Sequence, residues 1–153
     1  MTYARAWTQT RRLTGAEWYR LIRCFDGIRR MAGVDLAGPL GTGRPVATYA
    51  RIAFNGARDL GEDYETFALE PTPKDYRCCC KTARQPYDAV VAAVLMAAER
   101  IAPGAFADIA SDGGPEDWAE ADAICDYLGL RRRRSALRVG GAVAETVRTG
   151  VMG

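Results

Sequence analysis

Histidine is absent from all 153 residues. That excludes Ser–His–Asp and Cys–His nucleophilic mechanisms, and zinc sites built on imidazole. Acid–base chemistry near neutral pH would fall to a carboxylate, lysine, tyrosine or cysteine of shifted pKa. No run of about 18 apolar residues occurs, so no membrane-spanning helix is expected. The opening "MTYARAWTQTRRLTG" lacks the apolar core of a secretory leader. The expectation is a cytoplasmic protein without contact to a membrane. Five cysteines are present, with no C-x-x-C pair. An odd count with three adjacent thiols is not the spacing of a secreted disulfide framework.

What is present is ordinary globular composition, 48% hydrophobic and 26% charged. It suits one domain over residues 1–130. A basic extension, 131–153, follows and opens with Arg131–Arg134. Net charge is +2, from 21 basic and 19 acidic residues. That balance does not demand a nucleic-acid partner. The arginine run lacks interleaved aromatics, so it reads first as a solvated tail and only second as a phosphate contact.

Residues 14–32 read as a helix. Thr14 and Glu17 form a T-x-x-E capping box, Trp18, Leu21, Ile22, Phe25 and Ile28 share one face, and Gly33 is the stop. "GVDLAGPLGTGRP" follows as a loop. It is not a Walker loop, because Arg44 and Pro45 stand after Gly43 where Lys and Ser or Thr belong. "VATYARIAF", 46–54, reads as one strand with Ala50, Ile52 and Phe54 on one side, and Asn55-Gly56 as a turn. Residues 64–70 alternate again, with Phe67 and Leu69 inward and Glu65 the exception on that face. Residues 75–81 make a third strand. The most apolar helix spans 86–102, a short fourth strand 105–110, and a last helix about 115–128. The order is α-β-β-β-α-β-α. The class is α+β, with a mostly antiparallel sheet covered by helices on one face. Turn-linked strands imply a meander, with the fourth strand joining parallel to the third.

In "RCCCK", strand alternation sends Tyr76, Cys78 and Cys80 one way, and Arg77, Cys79 and Lys81 the other. Cys78 and Cys80 then face the core as small hydrophobes, and adjacent strand residues point apart, so no metal and no cofactor is expected. Cys79 lies between two cations on its own face, which favours its thiolate.

Two loops carry candidate binding groups. "KTARQPYD" places Lys81, Thr82 and Arg84 before a helix N-terminus, where anions are attracted. "SDGGPEDW" supplies Asp112, Glu116 and Asp117, which read first as turn and helix-start residues. Both loops follow strands, which sets them on one sheet edge as a mixed-charge site.

The segments "RIAFNG", "YETF", "CKTARQPYD" and "SDGGPEDW" together resemble a group of small uncharacterised bacterial and phage or prophage proteins. The pattern is F-N-G…E-T-F…C-K-T-A-R-x-P-Y-D…S-D-G…D-W, and it covers about residues 51–118. The resemblance implies a mobile-element setting, with host-interaction or anti-defence roles; it brings no particular activity and no functional residues with it. It also marks Cys80 as the cysteine that the pattern repeats.

The functional expectation is a non-catalytic interaction protein. Its surface would be the outer sheet face and edge around Arg51, Arg77, Lys81 and Arg84, extended by Arg131–Arg134, meeting a macromolecular partner with acidic or phosphate groups. The alternative is an anionic-ligand or nucleotide-binding protein, or an enzyme, using Lys81, Arg84, Asp112 and Asp117.

Overall fold

A strand that periodicity does not announce sits at the centre of the first sheet. Ala4–Gln9 form β1, whose alternate residues Arg5, Trp7 and Gln9 are buried. The computed structural model describes residues 2–132. Beyond Arg132, the basic extension lies outside the described residues.

Helix α1, Gly15–Ala32, begins as expected. The Thr14 hydroxyl accepts from the Glu17 N–H, and the Glu17 carboxylate accepts from the Thr14 N–H. Gly33 ends it at φ 64°, a left-handed conformation that costs glycine little. Two-residue strands β2 (Leu36–Ala37) and β3 (Val46–Ala47) flank β4 (Ile52–Gly56). β5 is Phe67–Leu69, β6 Cys78–Lys81, and α2 Asp88–Ile101. β7 (Phe106–Ser111), a 3₁₀ turn over Pro115–Trp118, and α3 (Ala119–Tyr127) complete the order.

The elements make two antiparallel sheets, so the class is α+β as expected, but the single meander is not found. The first sheet runs β6-β1-β7. In the second, β2, β3 and β5 all pair with β4. β6 therefore pairs with β1 and not with β5. β6 and β7 run in the same direction, but β1 lies between them and pairs antiparallel with both. The strand expected over 46–54 is a tight hairpin instead, pairing Val46 with Ala53 and Ala47 with Ile52. Its turn is closed by the Thr48 hydroxyl, which accepts from the Ala50 and Arg51 N–H groups. A side chain here does the work that Gly or Asn usually does in a hairpin turn.

α2 is the centre of the core. Val90 to Ile101 are all buried, including Glu99 and Arg100. The Arg100 guanidinium ties α2 to α3 through Asp126 at 2.9 Å, through Asp122, and through the Leu130 carbonyl at 3.1 Å. Phe54, Phe25, Phe67 and Trp7 form a chain of tilted ring contacts between 5.1 and 5.6 Å. In the first sheet the inward face holds Arg5, Trp7, Gln9, Cys80, Phe106 and Ile109, all buried. Ala4, Ala6, Thr8, Cys79 and Lys81 occupy the other face, partly or fully exposed.

Candidate functional site

β6 and β7 leave their sheet at the same end, so the loops that follow them emerge together. The motif residues tie five segments to one another there.

Asn55 and Gly56 do not turn the chain; they are the last residues of β4. Asn55 is 3% exposed, and its side chain fixes the next loop. Its amide nitrogen donates to the Tyr64 carbonyl at 3.0 Å, and its oxygen accepts from the Gly56 and Tyr64 N–H groups. A Cβ at position 56 would sit 1.9 Å from the Glu62 carbonyl oxygen, so the close return of the loop requires glycine. Thr66 donates to the Pro39 carbonyl and joins the 38–44 loop to the cluster. Gln85 donates to the Gly61 carbonyl at 3.0 Å. Tyr87, fully buried, donates to the Glu65 carbonyl. The Glu65 carboxylate accepts from the Lys81 N–H at 2.8 Å; Glu65 lies in a bend before β5, so the strand expected over 64–70 is shorter and does not include it.

The second half of the cluster is ionic. Arg5, 2% exposed, forms two bonds to Asp88, at 2.9 and 2.8 Å. Buried Thr82 donates to the same carboxylate at 2.8 Å. Asp88 is the first residue of α2, so the chain's own carboxylate occupies the place where a bound anion would meet that helix end. Arg5 stacks on Trp118, its guanidinium carbon 4.4 Å from the ring centroid. Arg84 lies over the Tyr3 ring at 4.0 Å and pairs with Asp117 at 3.1 Å. Asp117 also accepts from the Tyr3 hydroxyl at 2.8 Å. Partial burial pushes the Asp117 carboxyl upward, but its bonds from Tyr3 and Arg84 outweigh that and hold it below the usual carboxylate range. Burial pushes the Tyr3 phenol up, which keeps it a donor. Asp112 accepts from the Ala4 N–H at 3.0 Å.

The turn between β6 and α2 is strained. Ala83 (φ 54°) and Arg84 (φ 57°) are consecutive non-glycine residues with left-handed backbone. The Gln85 N–H to Thr82 C=O bond at 2.9 Å closes the turn. This is the type I′ pattern that Asn and Gly normally fill.

Of the expected site residues, Thr82, Arg84, Asp112 and Asp117 come together here, with Lys81 at their edge. The continuous basic surface does not form. Arg77 is ion-paired with Asp108 at 2.9 Å, and Arg84 with Asp117. Arg51 lies on the hairpin of the second sheet, away from the strand that carries Lys81. Cys80 is buried, and burial first, then Glu65, pushes its thiol up to about 12. Cys78 is only half-buried. Tyr76 is 61% exposed and not inward, because the ladder begins after it. Cys79 is exposed, as expected, but its thiolate is not favoured. Partial burial and the Glu65 carboxylate raise its pKa against the opposing pull of Lys81 and Arg77. Among the described residues, no group of three or more Cys, Asp or Glu side chains is arranged to hold a metal ion.

Sequence reading passed over Tyr3, Arg5, Asn55, Glu65, Gln85 and Tyr87. Asn55 stood out there only as a turn residue, Glu65 only as the misfit in the strand expected over 64–70, and Tyr87 only as part of the quoted pattern. The chain matches no family model, no curated protein and no solved structure.

Proposed function

We propose that the protein is a non-catalytic interaction module whose contact surface is this end of the first sheet. The strained turn at Ala83 and Arg84 carries the reading. Left-handed backbone costs L-residues about 1–2 kcal/mol each, and such strain concentrates where function requires a fixed geometry. The turn buries no large apolar group; it holds Arg84 on the surface against Tyr3 and Asp117. Around it, Lys81 at the end of β6, Leu60 in a 3₁₀ turn and Tyr64 on the loop that Asn55 fixes are all exposed. A rigid scaffold that presents loops is the usual arrangement for recognition. Acidic or phosphate groups of a macromolecular partner would meet Lys81 and the open edge of Arg84. Burial raises the Cys79 and Cys80 thiols and the Tyr3 and Tyr87 phenols, which disfavours their ionised, nucleophilic forms.

The test is affinity capture with tagged wild type beside a Tyr64→Ala/Arg84→Glu variant, at low and high salt. The expected result is one retained macromolecule, weakened by salt and lost in the variant. Equal retention by the variant would remove this surface from the reading. Turnover of an anionic metabolite that disappears with Lys81→Ala/Arg84→Ala would replace it with an enzyme.

A further inference from the structure

We propose that the outward face of α1, together with the 48–51 hairpin turn beside it, binds a single-stranded polynucleotide. This face is separate from the loop surface described above.

α1 turns Trp18, Leu21, Phe25 and Ile28 into the core. Helical spacing then sends Tyr19, Arg20, Arg23, Asp26 and Arg30 outward, and all of these are exposed. The Trp18 indole N–H donates to the Thr48 carbonyl at 3.0 Å, which fixes the hairpin turn against the flank of the helix. Tyr49 and Arg51 stand on that turn, both exposed. Arg51, remote from Lys81, belongs to this surface instead.

The charge here has one sign. Arg20, Arg23, Arg29, Arg30 and Arg51 stand against a single acid, Asp26, which Arg29 (at 3.7 Å) and Arg30 share. Among the described residues, Arg20, Arg23 and Arg51 form no ion pair. Charges on the neighbouring elements do not cancel this excess. Arg11 and Arg12 before the helix match Glu17 and Asp35 in number. Arg44 and Lys74, around the hairpin, match Glu70 and Asp75. On the α3 side, Arg100, Arg131 and Arg132 stand beside Glu99, Glu120, Asp122 and Asp126, one acid more. The face stays positive after all of them are counted.

Carboxylates, phosphates and lipid headgroups would all answer that charge, and the tyrosines decide among them. Tyr19 is 61% and Tyr49 87% exposed. The Arg23 guanidinium carbon lies 5.7 Å from the Tyr19 ring centroid, so a cation and an open ring adjoin. A base stacks on such a ring while its phosphate meets the arginine. Only an unpaired base offers its face, so the strand is single. A membrane fits less well, because the apolar side of α1 is already in the core. The face is long enough. Tyr19 to Arg30 spans about 17 Å at about 1.5 Å per residue, the length of about five phosphates in a stacked strand.

The probes are fluorescein-labelled 12-mers of oligouridylate and oligothymidylate, read by anisotropy between about 50 and 200 mM salt. A duplex of the same length and a glutamate 12-mer peptide are the controls. The expected result is saturable binding of one or both single strands, with both controls weaker by about tenfold or more. The logarithm of affinity should fall against that of salt with a slope of about −2 to −3, at about 0.7 per phosphate neutralised. Arg20→Gln/Arg23→Gln should make that slope shallower by about 1.4. Tyr19→Ala/Tyr49→Ala should weaken binding about tenfold and leave the slope unchanged. All four positions are exposed, so both variants should melt like wild type; if one does not fold, the wild-type slope and the controls decide. No saturable binding of either strand, a slope near zero, equal binding of the duplex or the glutamate peptide, or undiminished binding by the tyrosine variant overturns the proposal. Tyr64→Ala/Arg84→Glu should bind the strands like wild type, so this proposal and the loop surface fail separately.

Discussion

β1 and β4 are the central strands of their sheets, and each is buried by a different kind of chemistry. All five residues of β4 are buried, and Phe54 at its middle meets Phe25, Phe67 and Tyr87. β1 buries only alternate residues, and two of those three are polar. Arg5 is held by Asp88, and Gln9 donates to the Pro71 carbonyl at 2.9 Å. An apolar strand loses stability in proportion to the volume removed. A polar strand depends on its pairing, because a broken partner leaves a buried charge or dipole unsatisfied; among the described residues Arg5 Nη1 already has no hydrogen-bond partner, so the Asp88 bonds carry that pairing.

The largest effects should come from the two strands themselves. Phe54→Ala should cost about 3–5 kcal/mol through the cavity it leaves. Arg5→Ala should cost a similar 3–5 kcal/mol, because Asp88 is left unpaired. The difference appears in rescue. An Arg5→Leu/Asp88→Leu protein should recover most of the loss in urea denaturation, whereas no second truncation beside Phe54→Ala should do so. A double variant no more stable than the sum of its parts would show that the two strands obey one rule.

Asn55 brings the polar kind of burial to the end of the apolar strand. Asn55→Ala leaves the Gly56 and Tyr64 N–H groups without their acceptor, and should cost about 1–3 kcal/mol. Amide exchange should quicken around residues 57–64 before it does in β4. Uniform quickening would count against a local role for Asn55.

A smaller effect distinguishes the two regions by pH. Asp117 has a lowered folded-state pKa, so its contribution is full above the unfolded carboxylate range and fades as pH falls through the folded value. The melting-temperature gap between wild type and Asp117→Asn should be largest above about pH 5 and close in acid. A gap that widens in acid would reverse the assigned sign. Phe54→Ala should show no such pH dependence relative to wild type.

The smallest effect concerns the two faces of the first sheet. A maleimide should label Cys79 first, Cys78 next, and Cys80 only on unfolding. The Cys79 rate should keep rising past the usual thiol range, because its pKa is raised. Early labelling of Cys80 would contradict the alternation.

The same contrast governs what could be read from the residues. α1, α2 and β5 are amphipathic or uniformly apolar, and their caps and periods show in local sequence. β1 does not show, because its inward Arg5 and Gln9 look like surface residues until Asp88 and Pro71 are brought to them. The pairing of β6 with β1 is equally non-local. The hairpin at 48–51 escaped because the Thr48 hydroxyl substitutes for a glycine signal. Of the candidate site, the loops carrying Arg84 and Asp117 were legible as neighbours, since strands running the same way deliver their loops to one end. What could not be read was that Arg84 and Arg77 already have partners, because Asp117 and Asp108 lie far along the chain.

The register of β1 also sets an order of events. Ala4 pairs with Lys81, and Arg5 with both Cys80 and Ser111. During synthesis the strand must therefore wait, unpaired, until most of the domain has been made. Loop closure over such separations is slow, and it leaves the Trp7 face open to wrong contacts meanwhile. The two charges of Arg11 and Arg12, one residue beyond the end of β1, stand where they would discourage association of that waiting strand with other chains.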